Sequence, residues 1–275
     1  MLPSWRNRIY IAISSERISL LKLGRGLKSK LLDKHDEAIM SAGKLLPWQA
    51  ELDRLTQLLD LPEWQNAEVH IVLSNRLARF ATISFNAQLK SYSAQEAFAR
   101  HSLVQIYGTV ANLWDLRIQH GKTGTPSLVS AVDRVLLEGL RKVCAAHRLE
   151  LNSVSPYLMQ VFNHYCKAFK SDPAWLVISE PGYSLLALIS GGEFVTINGV
   201  CHDSINELPI LLDRENLAGP FLEPCKTVYV HASSGEKLSS LLEFGYEFST
   251  LDIVIPDDFP SATDGLYAMA MSGVV

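Results

Sequence analysis

Cysteine is scarce. Cys144, Cys166, Cys201 and Cys225 are the only four in 275 residues, and their irregular spacing suits reduced thiols in the cytosol, not a disulfide framework. Long apolar runs are lacking too: no stretch approaches the roughly 20 apolar residues of a membrane span. Residues 1–20 place Arg6, Arg8, Glu16 and Arg17 among alternating apolar positions, without the continuous apolar block of a signal peptide. Direct membrane insertion is therefore not expected, and any association with a membrane should come through a partner. No large basic field or aromatic-basic motif is present, so nucleic acid is not an expected partner. There is no long polar tract either. With 48% hydrophobic and 20% charged residues, the chain can bury enough apolar surface to offset the entropy of ordering its backbone. At this length two packed lobes are the natural expectation.

What charge there is lies unevenly. The first 34 residues carry eight Lys or Arg against Glu16 and Asp33, a net +6, so that the overall −4 leaves −10 for the remainder. A solvated hairpin face accounts for this basic segment; an acidic partner or an anionic membrane surface is the alternative.

Ile9, Ile11 and Ile13 alternate with Tyr10, Ala12 and Ser14, and Ile18, Leu20, Leu21 and Leu23 follow Ser15-Glu16-Arg17. The pattern predicts strand, tight turn, strand, with a third strand within residues 28–40. Pro47 is placed to start a helix reaching Leu59, with Leu52, Leu55, Leu58 and Leu59 on one face. Residues 68–74 predict a buried strand. A βαββ pattern fills residues 79–131: strand 79–85, helix 93–107, strand 112–119 and strand 127–132. Ser93, three residues before Glu96, offers a capping box for that helix. A helix over 133–147 carries Leu136, Leu140, Val143 and His147 on one stripe; a strand up to Pro156 and a helix over 157–169 close the first lobe.

The second lobe opens the same way: strand 175–178, Glu180-Pro181-Gly182, strand 183–189, Gly191-Gly192, strand 194–197. Helix 205–216, strand 227–231, helix 235–243 and strand 246–254 follow. The two halves share one order of elements, a β-meander and then helix, strand, helix, which reads as an internal duplication.

This hairpin opening, repeated in two lobes, resembles the superfamily of actin, sugar kinases and the Hsp70 ATPase domain, and the βαββ insert resembles the extra subdomain of its PilM and FtsA branch. Ser130-Ala-Val-Asp-Arg-Val-Leu-Leu-Glu-Gly-Leu with Cys144-Ala-Ala-His-Arg-Leu-Glu-Leu-Asn-Ser-Val is similar to the PilM-like helix and strand that introduce the second half. Gly265-Leu-Tyr-Ala-Met-Ala-Met-Ser-Gly resembles that family's last helix. The resemblance implies an α/β fold of the actin-like (ribonuclease H-like) kind, with mixed sheets flanked by helices. It divides the chain into a first lobe, 1–165, with the insert at 79–131, and a second lobe, 166–275, whose final helix, about 263–273, packs back on the first.

The family's ATPases hold nucleotide with two phosphate hairpins and a glycine pair near the adenosine. Where the first hairpin carries Asp and, two residues on, Gly, this chain has Ala12 and Ser14, followed by Ser15. The second hairpin offers no aspartate; Glu180 is its acidic group, Pro181 removes an amide donor and Gly182 follows. Ser234-Gly235 stands in place of the glycine pair. The resemblance thus implies a chain that is not an enzyme, with no catalytic residue, no metal site and no cofactor; the alternative is Mg-ATP held by Ser14, Ser15, Glu180, Gly182, Ser234 and Gly235, with lobe closure under nucleotide control. PilM-like proteins and the cytoplasmic part of GspL recruit membrane partners and link them to an assembly ATPase at the bacterial inner membrane. A cytoplasmic scaffold of a type IV pilus or type II secretion machine, peripheral at that membrane, is what this implies here. The partner would be the short tail of a single-span protein, with an assembly ATPase a further possible partner. The tail would lie near the insert, around Arg76, Arg79, Phe80, Phe98 and Arg100, although Phe80 and Phe98 read equally as core residues.

Other motifs carry less. Gly121-Lys122-Thr123 has Leu116 where a phosphate loop needs glycine, and predicts a turn between strands. Cys201-His202-Asp203 cannot form a relay by adjacency on a strand. Cys144, His147, His164 and Cys166 lack zinc-site spacing, no HExxH pairing occurs, and Asp257-Asp258 precedes Pro260 in a predicted loop.

Overall fold

A computed structural model describes residues 6–25, 30–39, 48–232, 245–252 and 267–274. Pro47, the helix predicted over 235–243, and Asp257-Asp258 lie outside the described residues. The chain divides into two compact units, one formed by Met1–Leu77, Arg134–His164 and Asp252–Val275, the other by Ala78–Asp133 and Tyr165–Leu251.

In the first unit, β1 (Asn7–Ile13), β2 (Arg17–Leu23), β3 (Leu31–Ala38), β4 (Ala67–Leu73) and β8 (Glu150–Pro156) form a mixed sheet in the order β3-β2-β1-β4-β8. β1 runs antiparallel to β2 and parallel to β4, which is parallel to β8. Ile9, Ile11 and Ile13 are fully buried and so are their alternates Tyr10 and Ala12, because the sheet is covered on both faces. One cover is the final helix α6 (Ala268–Ser272): Tyr267, Ala270 and Met271 pack with Tyr10, Ala12, Leu21 and Leu23. Helices α1 (Gln49–Leu59) and α3 (Arg134–Ala146) pack on each other closely enough that a Cβ on Gly139 would come within 2.5 Å of Leu52 Cδ1. α1 buries the predicted Leu52, Leu55, Leu58 and Leu59. On α3 Leu136, Leu140 and Cys144 are buried and Val143 is half-buried, while His147, just past the end of the helix, has its side chain only 8% exposed. α4 (Tyr157–Tyr165) follows β8, its Leu158 amide donating 2.9 Å to Oδ1 of the buried Asn75.

In the second unit, β9 (Ala174–Glu180), β10 (Tyr183–Ser190), β11 (Glu193–Cys201), β12 (Thr227–Ala232) and β13 (Glu247–Thr250) take the order β11-β10-β9-β12-β13. Order and strand directions repeat those of the first sheet, position for position. The duplication seen in the sequence is therefore a duplication of topology. α5 (Leu208–Ala218) buries Leu208 and Leu212 against this sheet's core.

The insert is a separate three-stranded antiparallel sheet, β5 (Ala78–Ile83), β7 (Ser127–Asp133) and β6 (Trp114–Gln119), with α2 (Tyr92–Tyr107) laid on Ala81, Ile83, Leu116, Val129 and Ala131. Its helix starts one residue earlier than predicted, and its cap two residues earlier. Ser91, not Ser93, is the N-cap, its hydroxyl accepting the Ala94 amide at 3.2 Å. Glu96 is turned instead toward Arg100, 3.3 Å away.

Candidate functional site

The β1–β2 turn is closed on itself. Ser14 donates its amide to the Arg17 carbonyl at 2.9 Å, and its hydroxyl both accepts the Glu16 amide at 3.3 Å and donates to the Arg17 carbonyl at 3.2 Å. Two amides that a phosphate hairpin would present to its ligand are thus spent within the turn. Arg17 is ion-paired with Asp36 on β3, which also accepts the Ser19 hydroxyl at 2.7 Å. Ala12, in the position of the family's aspartate, lies 1% exposed within the apolar cluster beneath α6.

The β9–β10 turn is Pro181-Gly182, with Gly182 at φ +65° in the left-handed region that glycine allows. Glu180 is buried at its base and directly opposite Tyr183. Burial first, and the Glu180 charge second, push the Tyr183 phenol well above its usual range. Ser234 and Gly235 lie outside the described residues.

A cavity of about 350 Å³ opens on the insert, with Ile83, Phe85, Phe98 and Ile118 as its apolar walls and Gln95 and His120 among its polar groups. Gln95 holds the loop leading into α2 through the Leu89 carbonyl, at 2.9 Å. Phe85 remains 47% exposed at the rim.

No family model and no curated protein matches the sequence. Solved structures do. The chain is similar to a structure of the PilM-PilN type IV pilus biogenesis complex over 97% of each chain, with TM-score 0.72 and 13% identity. A Bacteroides thetaiotaomicron protein of unknown function with an actin-like ATPase fold aligns over 92% of this chain and 93% of its own, with TM-score 0.61 and 9% identity. The chain has the actin-like ATPase fold. The cytoplasmic domain of EpsL, an inner-membrane component of the Vibrio cholerae type II secretion system, shares it over 97% of this chain and 95% of its own, with TM-score 0.58 and 13% identity.

Within this actin-like fold, the residues expected to meet a partner separate by environment. Phe98 is half-buried and lines the cavity, whereas Phe80 is buried at 5% exposure, on the sheet face turned away from α2. Arg100 donates to the carbonyls of Ala111 and Trp114 at 3.2 and 3.1 Å, tying the turn between α2 and β6. Arg79 lies 6.0 Å over the Trp114 ring, and its charge opposes the upward shift that burial gives Tyr107 and Tyr183. The Arg76 amide donates to Ser74 Oγ at 3.1 Å in the turn after β4. Phe85, Ile118 and His120 escaped the sequence reading; an aromatic at the end of an alternating strand was the available signal.

The remaining motifs have structural work. Gly121-Lys122-Thr123 forms the β6–β7 turn, where Lys122 donates 2.8 Å to the Gly191 carbonyl and lies 3.6 Å from Glu193. A Cβ at Gly121 would fall 2.2 Å from the Pro126 carbonyl oxygen. At the end of β11 Cys201 is exposed, His202 shares a 2.8 Å hydrogen bond with the buried Ser184 hydroxyl, and the Asp203 amide donates to Glu207. His147 is held by the Val143 carbonyl at 2.7 Å and Asp60 at 3.0 Å, and burial pushes the neighbouring Cys144 thiol up to about 11. Among the described residues, no three His, Cys, Asp or Glu side chains are grouped to hold a metal ion, and no helix is long and apolar enough to cross a membrane.

Proposed function

We propose that this chain is a non-catalytic scaffold of a type IV pilus or type II secretion machine, docking the cytoplasmic tail of an inner-membrane partner on the three-stranded insert. The observation that carries the non-catalytic half is the first hairpin. Where the fold's ATPases organise Mg²⁺, Ala12 sits in an apolar cluster, and the turn beside it bonds to itself. A carboxylate at that position would need partners the cluster does not offer. The likeness, over 97% of each chain, to a structure of the PilM-PilN type IV pilus biogenesis complex supports the choice of machine and of partner class. The cavity supports the place: Phe98 and Phe85 would grip an apolar side chain of the tail, while Arg79 and Arg100 hold the surrounding surface in shape. On this reading the protein works in the cytoplasm, at the inner face of the membrane, through its partner.

Two measurements test it. Co-purification of the full chain with the co-expressed tails of the single-span proteins of the same machine should recover one of them, and Phe98→Glu should abolish that recovery while the protein stays folded. Recovery unchanged by Phe98→Glu would remove the insert as the docking place. Calorimetric titration with Mg-ATP and with ADP should give no heat; micromolar binding would replace the scaffold with a nucleotide-controlled closure of the lobes.

A further inference from the structure

The insert lies along the outer edge of the second sheet. β11 ends the order β11-β10-β9-β12-β13, β5 ends the order β5-β7-β6, and the two strands pack side by side without joining into one sheet. Open edge strands invite pairing with other chains, and the insert covers this one. The insert thereby belongs to the second compact unit, although the chain enters it from the first unit at Leu77 and returns at Arg134.

The contact is clamped at both ends. Ile83, the last residue of β5, is paired with Ser127 beside the β6–β7 turn, and from that turn Lys122 donates 2.8 Å to the Gly191 carbonyl, in the turn before β11. At the other end four elements meet: Tyr183 is the first residue of β10, Arg79 the second of β5, Tyr107 the last of α2 and Trp114 the first of β6. Tyr107 donates its hydroxyl to the Phe80 carbonyl at 3.0 Å and meets the Trp114 ring edge-on at 5.4 Å, while Arg79 lies over that ring at 6.0 Å. Tyr183 reaches toward this group across β11, because residue 199 is glycine; a Cβ there would stand 2.0 Å from the phenolic oxygen. The backbone of Gly199 is not left-handed, so the position uses the missing side chain and not conformational freedom. Arg79 and Tyr107 of the insert act on the Tyr183 phenol, and so does Glu180 of its own hairpin.

We infer that Tyr183 couples the second hairpin to the insert: its ring, passing over Gly199, holds the start of β5 and the end of α2 against the sheet. A displacement of the Pro181-Gly182 turn is thereby passed to the insert, and with it to the surface on which the partner's tail docks. The consequence for docking rests on the reading above; the coupling itself does not.

Hydrogen-deuterium exchange of the full chain, read by mass spectrometry, tests the coupling without any bound partner. Gly199→Ala drives the ring off β11, and Tyr183→Leu removes it without a clash, so that the second variant carries the test should the first fail to fold. Each should speed exchange in β5 and in residues 104–114 by about tenfold or more, and leave β1 and β4 of the first unit at wild-type rates. Leu212→Ala is the control. It loosens the core beneath α5, on the face of β10 that carries Leu186 and Leu188 and not Tyr183, and should affect β5 less than either variant. Exchange in β5 that stays at the wild-type rate when the ring is displaced or removed overturns the inference. So does an equal rise in all three variants, which would mean that the insert follows the stability of the whole sheet. Because no tail is needed, a failure here is distinct from a failure of the docking experiment.

Discussion

The Tyr183 ring crosses β11 over the backbone of Gly199. A Cβ on residue 199 would come within 2.0 Å of the phenolic oxygen and 2.8 Å of the carbon bearing it. In the β10–β11 register Tyr183 faces Cys201 and Leu185 faces Gly199, so the ring lies diagonally across the ladder and fills the place of the missing side chain. Gly199→Ala should therefore destabilise the protein by about 1–3 kcal/mol through overpacking. Tyr183→Ala will cost stability of its own, but the double variant should lose less than the sum of the two, measured by urea unfolding. Additive losses would mean the ring moves aside freely.

The cap of α2 separates two serines two residues apart. Ser91 accepts the Ala94 amide through its side chain, and Ser93 is placed only to exchange a hydrogen bond with Ser91, at 3.2 Å. Ser91→Ala should cost about 1 kcal/mol, and Ser93→Ala only a few tenths. Equal effects in denaturant unfolding would return the capping role to Ser93.

His70 gives the first unit a pH dependence. Its ring stacks on Tyr10 at 5.0 Å and shares a hydrogen bond with Ser153 Oγ at 2.9 Å. Burial, helped by the charge of Arg8 and opposed by that of Glu68, holds the imidazole below its usual value of 6.5. The unfolded chain therefore takes up the proton first. The contribution of His70 to stability is whole above the unfolded value and is lost as pH falls from there through the folded one. Between about pH 8 and about pH 5.5 the wild type should lose more stability than His70→Asn. Parallel curves would contradict this.

Ala12→Asp restores the acidic residue of the fold's ATPases at its proper place in the sequence. In this protein it would put an unpaired charge among Tyr10, Leu21, Ala270 and Met271. The expected outcome is a loss of about 3–5 kcal/mol in stability with no gain of Mg-ATP binding. A stable variant that binds Mg-ATP would show that the hairpin needs only its carboxylate.

Much of the fold could be read from the chain because its strands announce themselves locally. Ile9 to Leu23 and Trp175 to Ile189 are continuous apolar runs broken by short polar turns, and both became paired antiparallel strands at the centre of their sheets. Helices with one apolar stripe, such as α1, were legible for the same reason. Boundaries were less so. Ser91 and Ser93 are equally good capping residues, and the choice between them was made by where α2 meets the insert's sheet. Of the expected partner residues, Phe80 and Phe98 carry the same side chain, yet one is buried and the other lines a cavity, since strand alternation and helix rotation set their directions.

The sequence by itself determined the duplicated order of elements and the presence of Ala12 and Ser14, with no aspartate or glycine, in the first hairpin, because apolar periodicity, turn residues and residue identity are local properties. Only the tertiary structure decided that β5 of the insert lies along β11 and that Tyr183 covers Gly199. Those meetings depend on the direction and register of strands far apart in the chain, which long-range pairing selects and no local pattern records.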